Sequence, residues 1–372
     1  MATCSPRCRL TLAEPGPAAG TIVVVTYQGA AHIRRALHSC LTSAAYARIV
    51  VVDNGSTDGG PELVATEFPD VRLVRQGRNL GFAAGCNVGI SAARDWGSAW
   101  VLLLNQDAAV DDNTVAALAD FLDEHPRAAA VQPALFRADG LVNSLGNPVH
   151  FLGFSSAGGN GLAVERAERD PSLPWLRDHQ WRRGGVVIPA FTGAAVMLRM
   201  AALAEVGLFE EELFLYHEDL ELGLRLRRAG WTLHLLGSVR AVHHYDFSRN
   251  PRKWYFLERN RHWVLWVHYR ARSLAVLAVP LLVAEVAVWV MACRNGWRKQ
   301  KWQSYRYWVR PGTLAHLRRR RREAVARGGI SDRELLRLAT GRLAAAEVAH
   351  PLVDEVGGPV SALLWRLLQH WL

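Results

Sequence analysis

The feature that most constrains the fold is a series of short apolar runs that each end in polar or turn-forming residues. "TIVVVTY" (21–27) and "RIVVVDNGSTDGG" (48–60) are rich in β-branched residues, and a helical stretch (31–43) lies between them. "WVLLLNQD" (100–107) predicts a further central strand. Unbroken valine runs are typical of strands that are buried on both faces of a parallel sheet. The order of these segments therefore predicts an α/β domain with a mostly parallel central sheet.

Carboxylates follow the second strand, at the place where sheets of this kind bind their ligands. In an open parallel sheet the ligand lies outside the carboxyl ends of the strands. Asp53 and Asp58 belong to "DNGSTDGG", a turn that leaves backbone N–H groups free and whose carboxylates accept from hydroxyl or imide donors. This chemistry suggests recognition of a nucleoside. The structural alternative is an ordinary strand-to-helix turn with an aspartate at the helix N-terminus.

The strand "WVLLLNQD" ends in an amide and a carboxylate. Asn105 and Asp107 are two residues apart, so on an extended strand end their side chains point the same way. Mg²⁺ and Mn²⁺ prefer oxygen ligands and commonly keep waters and diphosphate oxygens in their coordination shell. One carboxylate and one amide form a metal site only if a bound ligand supplies the remaining oxygens.

A third acidic group begins a predicted helix. "LYHEDLELGLR" (215–225) places Glu218 and Asp219 in its first turn, where burial and a neighbouring carboxylate raise a pKa toward the range of a general base. The alternative is a carboxylate that only stabilises the helix N-terminus. His243 and His244 end a later strand, and one of them is a candidate metal ligand, although a histidine at a strand end is more often structural.

Several common signatures are absent from the sequence. It contains no Walker A motif and no Ser nucleophile elbow, and "NLGFAAGCN" (79–87) does not match the dinucleotide motif GxGxxG. The five cysteines include no CxxC pair, so the sequence supports neither a zinc site nor a disulfide framework.

Five motifs, taken together and in order, resemble those of the family 2 glycosyltransferases, which are inverting enzymes with the GT-A nucleotide-sugar fold. The motifs cover about 21–269 and read "VVTYQG", "VVDNGSTDGG", "NLGFAAGCNVG", "LLLNQD" and "LYHEDLELGLRLRRAG", the last with "VHHYDFS" behind it. The third motif is similar to that of the rhamnosyltransferase-like branch, which builds bacterial cell-surface polysaccharides. The resemblance implies a nucleotide-sugar donor, with rhamnose as the sugar that this branch suggests.

The resemblance also implies roles for individual residues. Asn105 and Asp107 occupy the family's DxD site, with Asp107 as a ligand of Mg²⁺ or Mn²⁺ and Asn105 in place of the first aspartate. Asp219 matches the catalytic base of the ED motif, and His243 matches the histidine that completes the metal site. Gly193 would line the site closely, because a small residue lets the backbone approach a ligand. The residues implied in donor binding are Thr26, Tyr27, Asp53, Asp58, Asn79, Gly81, Asn105 and Gly193.

The function implied is transfer of one sugar to a lipid-linked or polysaccharide acceptor in bacterial cell-envelope glycan assembly. The nearest approach to the Gln-x-x-Arg-Trp of processive synthases is "QWRRG" (180–184), which lacks the Trp and precedes the ED motif, so a single addition is favoured. The alternative is a catalytically silent GT-A-fold binding or scaffold protein at the membrane, which Asn105 suggests. The segment 137–185 has no clear periodicity and is interpreted as an insertion or flexible loop.

The net charge of +10 is concentrated near the C-terminus. Residues 249–322 contain 18 Lys or Arg against two Glu, together with seven of the 14 Trp. Basic residues mixed with aromatic ones around an apolar run are typical of a bilayer interface and predict an anionic membrane surface as partner. Nucleic-acid binding through 318–322 is the alternative and is not expected.

An apolar run (273–293) lies within this basic region. Its 21 residues are just long enough to cross a bilayer, but Glu285 near the middle is unfavourable there. A membrane span, an in-plane or re-entrant helix pair and a buried core helix therefore all stay open. The predicted organisation is a disordered leader (1–20), a GT-A domain (21–262), a membrane-associated helical segment (263–312) and a helical tail (313–372) with an amphipathic helix (358–372). The expected location is the cytoplasmic face of the bacterial plasma membrane, peripheral or integral.

Overall fold

A computed structural model describes residues 20–43, 47–244, 250–326, 329–342 and 357–372. The predicted leader (1–20) therefore lies outside the described residues apart from Gly20, and so does the part of "VHHYDFS" that follows His244. The chain begins with alternating strands and helices at the predicted places. These are β1 (Thr21–Thr26), α1 (Ile33–Ser43), β2 (Arg48–Asp53), α2 (Gly60–Glu67), β3 (Arg72–Arg75), α3 (Phe82–Asp95) and β4 (Trp100–Asn105).

The second half of the domain has shorter and less regular elements. They are β5 (Ala108–Val110), α4 (Thr114–Glu124), β6 (Ala128–Phe136), β7 (Val142–Ser144), α5 (Val164–Glu168), β8 (Gly185–Val187), β9 (Ala195–Arg199), α6 (Met200–Val206), α7 (Glu218–Arg228) and β10 (Thr232–His243).

The described strands form one ten-stranded sheet in the order β3-β2-β1-β4-β9-β6-β10-β5, with β7 beside β6 and β8 beside β10. The pairs among β1, β2, β3 and β4 are parallel, whereas β9 runs antiparallel to both β4 and β6. The prediction of a mostly parallel sheet is wrong for the second half, because the sheet is mixed. An apolar run reports burial on both faces, and antiparallel β9 is buried in the same way as parallel β1.

The alternation of side chains along the strands divides the core into two clusters, one on each face of the sheet. Val23 and Val50 pack on the face covered by α3, whereas Val24 and Val51 pack on the face covered by α1 and α4. The sheet is therefore buried on both sides, and its exposed chemistry lies at the ends of the strands.

The segment 137–185 is a packed insertion rather than a flexible loop. Leu173 and Leu176 are buried in the core cluster of the α3 face, and Trp175 donates its indole N–H to the carbonyl of Leu145 at 2.8 Å. Glu168 holds the end of the segment by accepting hydrogen bonds from Trp181 and other side chains. Its elements are too short to produce a periodic pattern, which explains why the sequence showed none.

Helices make up the remainder of the described chain. They are α8 (Lys253–His268), α9 (Ala271–Val276), α10 (Ala278–Arg294), α11 (Arg298–Arg306), α12 (Thr313–Ala326), α13 (Asp332–Leu335) and α14 (Gly358–Leu368). The boundary predicted between 262 and 263 lies inside α8, which is continuous. Trp263 and Val264 of this helix pack in one cluster with Leu220 and Leu224 of α7, so the C-terminal helices are attached directly to the sheet domain.

The apolar run 273–293 is divided between two helices, because α9 ends at Val276 and α10 begins at Ala278. Within the ranges that the structure describes, none of the helices combines the length and the apolar character needed to cross a bilayer. A membrane-spanning segment is therefore not confirmed at 273–293.

Glu285 of α10 points inward into a group of charged side chains. It accepts a hydrogen bond from Arg261 at 2.8 Å and contacts Lys301 and Tyr305. Arg261 and Lys301 also pair with Glu258. Two carboxylates and two cations thus lie together at the junction of α8, α10 and α11.

Candidate active site

A cavity of about 190 Å³ lies where several strands end and α7 begins, and it is lined by four of the residues predicted from the sequence. Asn105 comes from the end of β4 and His243 from the end of β10. Gly193 precedes β9, and Asp219 stands in the first turn of α7. These residues are up to 138 positions apart in the chain, so the fold brings together groups that no local pattern connects.

Asn105 and His243 line one edge of this cavity, and Asp107 lies beside His243. The Nε2 atom of His243 lies 3.3 Å from Oδ1 of Asp107 and 3.3 Å from Nδ2 of Asn105. Its other ring nitrogen, Nδ1, lies 3.0 Å from the amide oxygen of Asn143, and donation to this oxygen directs the Nε2 lone pair toward Asp107. An imidazole lone pair that faces a carboxylate is favourable when a cation lies between them. This set of donor atoms therefore fits a divalent ion that takes its other ligands from a diphosphate.

Asp107 is ionised in this environment. When a proton rather than a metal ion lies between the two groups, burial acts to raise the pKa of Asp107, but the hydrogen bond and the charge of His243 outweigh burial, so that the pKa lies below its usual value. The backbone carbonyl of Asp107 also accepts from the N–H of His244 at 2.8 Å, which fixes the strand end.

Glu218 and Asp219 differ in how their carboxylates are supported. Asp219 accepts the N–H of Gly193 at 3.2 Å and the N–H of Leu220 at 2.7 Å. Burial raises the pKa of Asp219, and these hydrogen bonds oppose that increase. Glu218 is 4% exposed, and its Oε2 atom has no partner among the described residues; burial and the charge of Asp219 raise its pKa well above the usual value. Asp219 is therefore the better supported carboxylate and the stronger candidate for a base.

The segment before α7 has strained backbone. Phe214, Tyr216 and His217 all have φ values of 64° or 65°, a left-handed conformation that non-glycine residues rarely adopt. The carbonyl of Phe214 accepts the N–H of Phe82 at 2.7 Å and the N–H of Ala83 at 3.3 Å, at the start of α3. The N-terminus of α3 thus holds the strained segment that presents Asp219.

Residues of the motif "NLGFAAGCN" form this contact between α3 and the segment before α7. Asn79 accepts the N–H of Gly81 at 2.9 Å, and Gly81 has a φ of 92°, where an added Cβ would lie 2.6 Å from the ring of Phe214. Asn87 both accepts from and donates to the backbone of Phe209. Asn79 and Gly81, which were predicted to bind the donor, do not line the cavity, and their observed contacts position α3 against the segment that carries Asp219.

The predicted nucleoside residues lie apart from the cavity, at the carboxyl ends of β1 and β2. Asp53 accepts the N–H of Ser56 at 3.0 Å. Asp58 accepts the N–H of Ala30 at 2.8 Å and that of Gly60 at 3.1 Å. In these contacts Asp53 and Asp58 stabilise backbone turns, as expected for an ordinary strand-to-helix turn. A carboxylate has further acceptor sites, so both side chains can still bind a ligand.

Gln106 was not among the predicted site residues, and it links these two regions. Thr26 donates its hydroxyl to Oε1 of Gln106 at 2.6 Å, and Tyr27 donates its backbone N–H to the same oxygen at 2.8 Å. Tyr27 is 44% exposed, so its ring is available to a ligand. In the sequence, Gln106 is marked only by its position inside Asn-Gln-Asp. On an extended strand its side chain points in the opposite direction to those of Asn105 and Asp107.

The described residues contain another group with the composition of a metal site, formed by Glu258, His262 and Glu285. Arg261 and Lys301 already contact both of its carboxylates. These cations balance the two negative charges, so the group is a buried ion cluster that stabilises the junction of the helices.

Replacement of Glu218 by Gln tests the state of this carboxyl group through stability. The folded-state pKa is raised, so the unfolded chain releases the proton first, and wild-type stability falls as pH rises above about 4.3. We expect Glu218→Gln to be more stable than wild type at pH 8, with the difference fading toward pH 4, because Gln has no proton to release. Thermal unfolding of both proteins across this pH range measures the difference in stability. An equal or lower stability of the variant at pH 8 would contradict the assignment.

Comparison with known proteins identifies the family of the chain. A family model for glycosyl transferase family 2 matches residues 21–207. The chain is 30% identical over 241 residues to N-acetylglucosaminyl-diphospho-decaprenol L-rhamnosyltransferase of Mycobacterium tuberculosis, which covers 62% of this chain and 78% of that protein. It is 24% identical over 195 residues to dTDP-rhamnosyl transferase RfbF of Shigella flexneri, with 52% of this chain and 59% of that protein covered.

A solved structure, GalNAc-T7 with UDP, GalNAc and Mn²⁺, has the same fold. It aligns with a TM-score of 0.60 and 15% identity over 86% of this chain and 56% of that chain. The fold is therefore GT-A-like, with a mixed sheet and helices. On the family match and the 30% identical relative, the chain belongs to glycosyl transferase family 2, as a member similar to its rhamnosyltransferases.

Proposed function

We propose that the protein is an inverting glycosyltransferase that moves one sugar from a nucleotide-diphosphate sugar to a lipid-linked or polysaccharide acceptor in bacterial cell-envelope glycan assembly. The observation that carries this proposal is the cavity that joins Asn105 and His243 on one side with Asp219 on the other. The names of the relatives support L-rhamnose as the sugar, dTDP as its carrier and an N-acetylglucosaminyl-diphospho-lipid as the acceptor.

In the proposed reaction Asp219 takes the proton of an acceptor hydroxyl. The acceptor oxygen then attacks the anomeric carbon from the face opposite the nucleotide, and the bond to the diphosphate breaks in the same displacement. The N–H groups of Gly193 and Leu220 hold the carboxylate of Asp219 in place for this step. Inversion at the anomeric carbon follows from a single displacement.

Asp107 and His243 would hold Mg²⁺ or Mn²⁺, with Asn105 beside them. When bound, the ion supplies positive charge that stabilises the leaving diphosphate. In this proposal the donor nucleoside lies near Thr26, Tyr27, Asp53 and Asp58. Gln106, between Asn105 and Asp107, accepts hydrogen bonds from Thr26 and Tyr27. Asn79 and Gly81 support the donor side through α3.

Gly193 is proposed to lie against the donor. A Cβ at this position would be 3.0 Å from the ring of Phe82 and 4.0 Å from Cβ of Asp219, so even Ala would crowd the cavity wall. Gly193 thus keeps space for a ligand beside the proposed base.

We further propose that the protein acts at the cytoplasmic face of the plasma membrane, on an anionic lipid surface. The basic and aromatic residues of the C-terminal helices support this location, and a lipid-linked acceptor would be found there. Transfer of one sugar per binding event is favoured, since Gln180 and Trp181 of "QWRRG" do not line the cavity.

A thermal-shift screen tests donor binding directly. A ligand that binds only the folded state raises the unfolding temperature, so dTDP-L-rhamnose is expected to stabilise the protein in the presence of Mn²⁺ and to do so less after chelation. Release of dTDP with the N-acetylglucosaminyl-diphospho-lipid then measures transfer. A donor that binds but is never turned over would support the silent scaffold instead, and failure of every nucleotide sugar to bind would reject both.

Replacing Asn105 by Asp tests whether this position contacts the metal. A second carboxylate in the set should lower the Mn²⁺ concentration for half-maximal transfer, on the order of tenfold, because ligand charge sets the affinity for hard cations. Asn113→Asp is the matched control, since Asn113 is exposed beyond β5. Equal Mn²⁺ requirements in wild type and Asn105→Asp would remove Asn105 from the metal site.

A further inference from the structure

Two C-terminal helices expose apolar stripes to solvent. Each stripe has the spacing of one helix face, and its large side chains are between 54% and 71% exposed. On α10 the stripe consists of Val279, Leu282, Val283, Val286 and Val290, and on α14 and the turn after it the stripe consists of Val360, Leu363, Leu367 and Trp371. Large apolar side chains exposed in a continuous row mark an interaction site.

The inner faces of the same helices pack in one hydrophobic cluster. Leu277, which precedes α10, and Trp365 of α14 are buried in it, and Leu281 and Leu368 pack against it. The two stripes are therefore the outer faces of a single packed unit. We call the two stripes together the apolar surface.

Positive charge borders the apolar surface. Arg270 and Arg272 precede α10, Arg298 and Lys299 follow it, and Arg366 lies on α14; all five are exposed. Between 259 and 322 the sequence has a single acidic residue, Glu285, and its carboxylate is turned inward to Arg261. Apolar side chains bordered by exposed basic residues match an anionic bilayer in both polarity and charge.

A loop of the insertion connects the apolar surface to the cavity. This polar loop spans 147–160, and Asn147, Ser155, Ser156 and Asn160 from its two arms line the cavity beside Asp219. Its arms are joined by an antiparallel bridge between Val149 and Ser155, so that 150–154 form its tip. The polar loop thus extends from the cavity wall toward the C-terminal helices.

The helix α14 holds one side of the tip. Nε2 of His150 lies 3.0 Å from the hydroxyl of Ser361, and the rings of Phe151 and Trp365 are stacked with centroids 4.9 Å apart. Ser361 and Trp365 belong to the inner face of the helix whose outer face carries Leu363 and Leu367. One helix therefore touches both the tip and the solvent.

The helices α8 and α10 hold the other side. The guanidinium of Arg261 lies 4.4 Å from the ring centroid of Phe154 and donates to Glu285 of α10. Phe154 also packs with Val288 and Ala292 of α10. Gly153 has a φ of 80°, and an added Cβ there would lie 2.9 Å from Leu265 of α8. The tip therefore contacts α14 on one side and α8 and α10 on the other, and α10 and α14 are the helices that carry the apolar surface.

We propose that the apolar surface lies in the plane of an anionic bilayer and that α10 and α14, by holding the tip of the polar loop, set the acceptor side of the cavity when they bind lipid. This inference rests on the proposed function, because it assigns the polar loop to the acceptor. Asn147, Ser155, Ser156 and Asn160 share the cavity with Asp219, which receives the acceptor proton, whereas Thr26 and Asp53 of the donor region do not line it. An acceptor with a lipid chain in the same bilayer would present its sugar to these side chains.

Lipid binding is tested by co-sedimentation of the full chain with phosphatidylcholine vesicles that contain or lack phosphatidylglycerol. Wild type should bind the anionic vesicles, and high salt should weaken this binding. The double variant Leu363→Ser/Leu367→Ser should lose at least about tenfold in affinity, because two large apolar side chains no longer enter the interface. Leu41→Ser, at an exposed leucine of α1, is the control and should bind as wild type does. Absence of binding, or self-association through the stripes that this double variant abolishes, would overturn the proposal.

The coupling to the cavity is tested by hydrogen exchange and kinetics. Anionic vesicles should slow amide exchange in 149–154 of wild type, where the N–H of His150 is bonded to the carbonyl of Phe154 at 2.8 Å. Trp365→Ala should raise the KM for a short-chain N-acetylglucosaminyl-diphospho-lipid by about two- to tenfold, and Trp365→Phe should restore it. The KM for dTDP-L-rhamnose should stay unchanged in both variants.

The outcomes separate this inference from the proposed function. Vesicle binding that leaves both the exchange of 149–154 and the KM of the acceptor unchanged would refute the coupling while the transferase stands. If wild type turns over no nucleotide sugar, the proposed function fails, and sedimentation and exchange still report whether the apolar surface binds lipid and moves the tip.

Discussion

Replacing Asp219 by Asn is expected to lower the rate of sugar transfer by about 10²- to 10⁴-fold, the range of positioned general bases, while donor binding persists. An amide cannot take the proton of the acceptor hydroxyl. One oxygen of the Asp219 carboxylate accepts the N–H of Gly193 and the other accepts that of Leu220, so Asn keeps the size of the side chain and one of these two hydrogen bonds. Transfer kinetics measure the loss, and the thermal shift with dTDP-L-rhamnose and Mn²⁺ measures the binding that is retained.

The neighbouring carboxyl group is the matched control for this prediction. Glu218→Gln replaces a side chain that is 4% exposed and whose pKa is raised by burial and by the charge of Asp219, so the transfer rate of this variant should remain within about tenfold of wild type. The reverse order, with Glu218→Gln inactive and Asp219→Asn active, would assign the base to Glu218.

The pH profile gives an independent check on Asp219. Burial raises the pKa of Asp219, and a base must be ionised to act. The rate of wild type should therefore be constant above this raised pKa and fall as pH decreases through it, at a higher pH than an ordinary aspartate would give. An acidic limb near the usual pKa of aspartate would contradict burial of this group.

Replacing Glu285 by Gln is expected to destabilise the protein by about 2–3 kcal/mol, at the low end of the effect of breaking a buried ion pair. Arg261 and Lys301 would then remain buried with Glu258 as their only carboxylate partner. The effect is moderated because Glu258 stays and because the side chain of Glu285 is 23% exposed. Urea unfolding at pH 7 measures the change.

The pH dependence of this effect has a defined sign. Burial acts to raise the pKa of Glu285, but His262, Arg261 and Lys301 outweigh it and hold the pKa well below the usual value. The stabilising contribution is therefore complete above the unfolded-state pKa of about 4.3 and decreases as pH falls below it. Glu67→Gln, which removes the exposed partner of Arg34, is the control and should change stability little. Equal losses of stability in Glu285→Gln and Glu67→Gln would show that the buried cluster stabilises the protein no more than an exposed ion pair does.

The sequence predicted the first half of the fold well because each strand there is an apolar run with a polar end. The second half was harder to predict, since the direction of a strand leaves no mark in a run such as "AVMLR", which is buried on both faces whether its neighbours are parallel or antiparallel. The segment 137–185 contributes the polar loop to the cavity, but its contacts join short, irregular elements and follow no period.

The same distinction holds for the site. Asn105, Asp107 and Asp219 could be predicted because each stands at the end of a strand or the start of a helix. Gln106 and Asn143 could not, because their roles depend on hydrogen bonds to residues 80 and 100 positions away. Likewise, the unfavourable position of Glu285 in an apolar run was visible in the sequence, whereas the cations that accommodate it lie on two other helices.

The left-handed residues before α7 carry a consequence for anyone who tries to make this protein more heat resistant. Phe214, Tyr216 and His217 each hold a backbone conformation that costs about 1–2 kcal/mol for a residue with a side chain. Substitution by glycine would relieve that cost, so a screen for higher melting temperature would be drawn to this segment. It is also the segment that aims the carboxylate of Asp219, and the easiest gains in stability would come from loosening the part of the chain on which turnover depends.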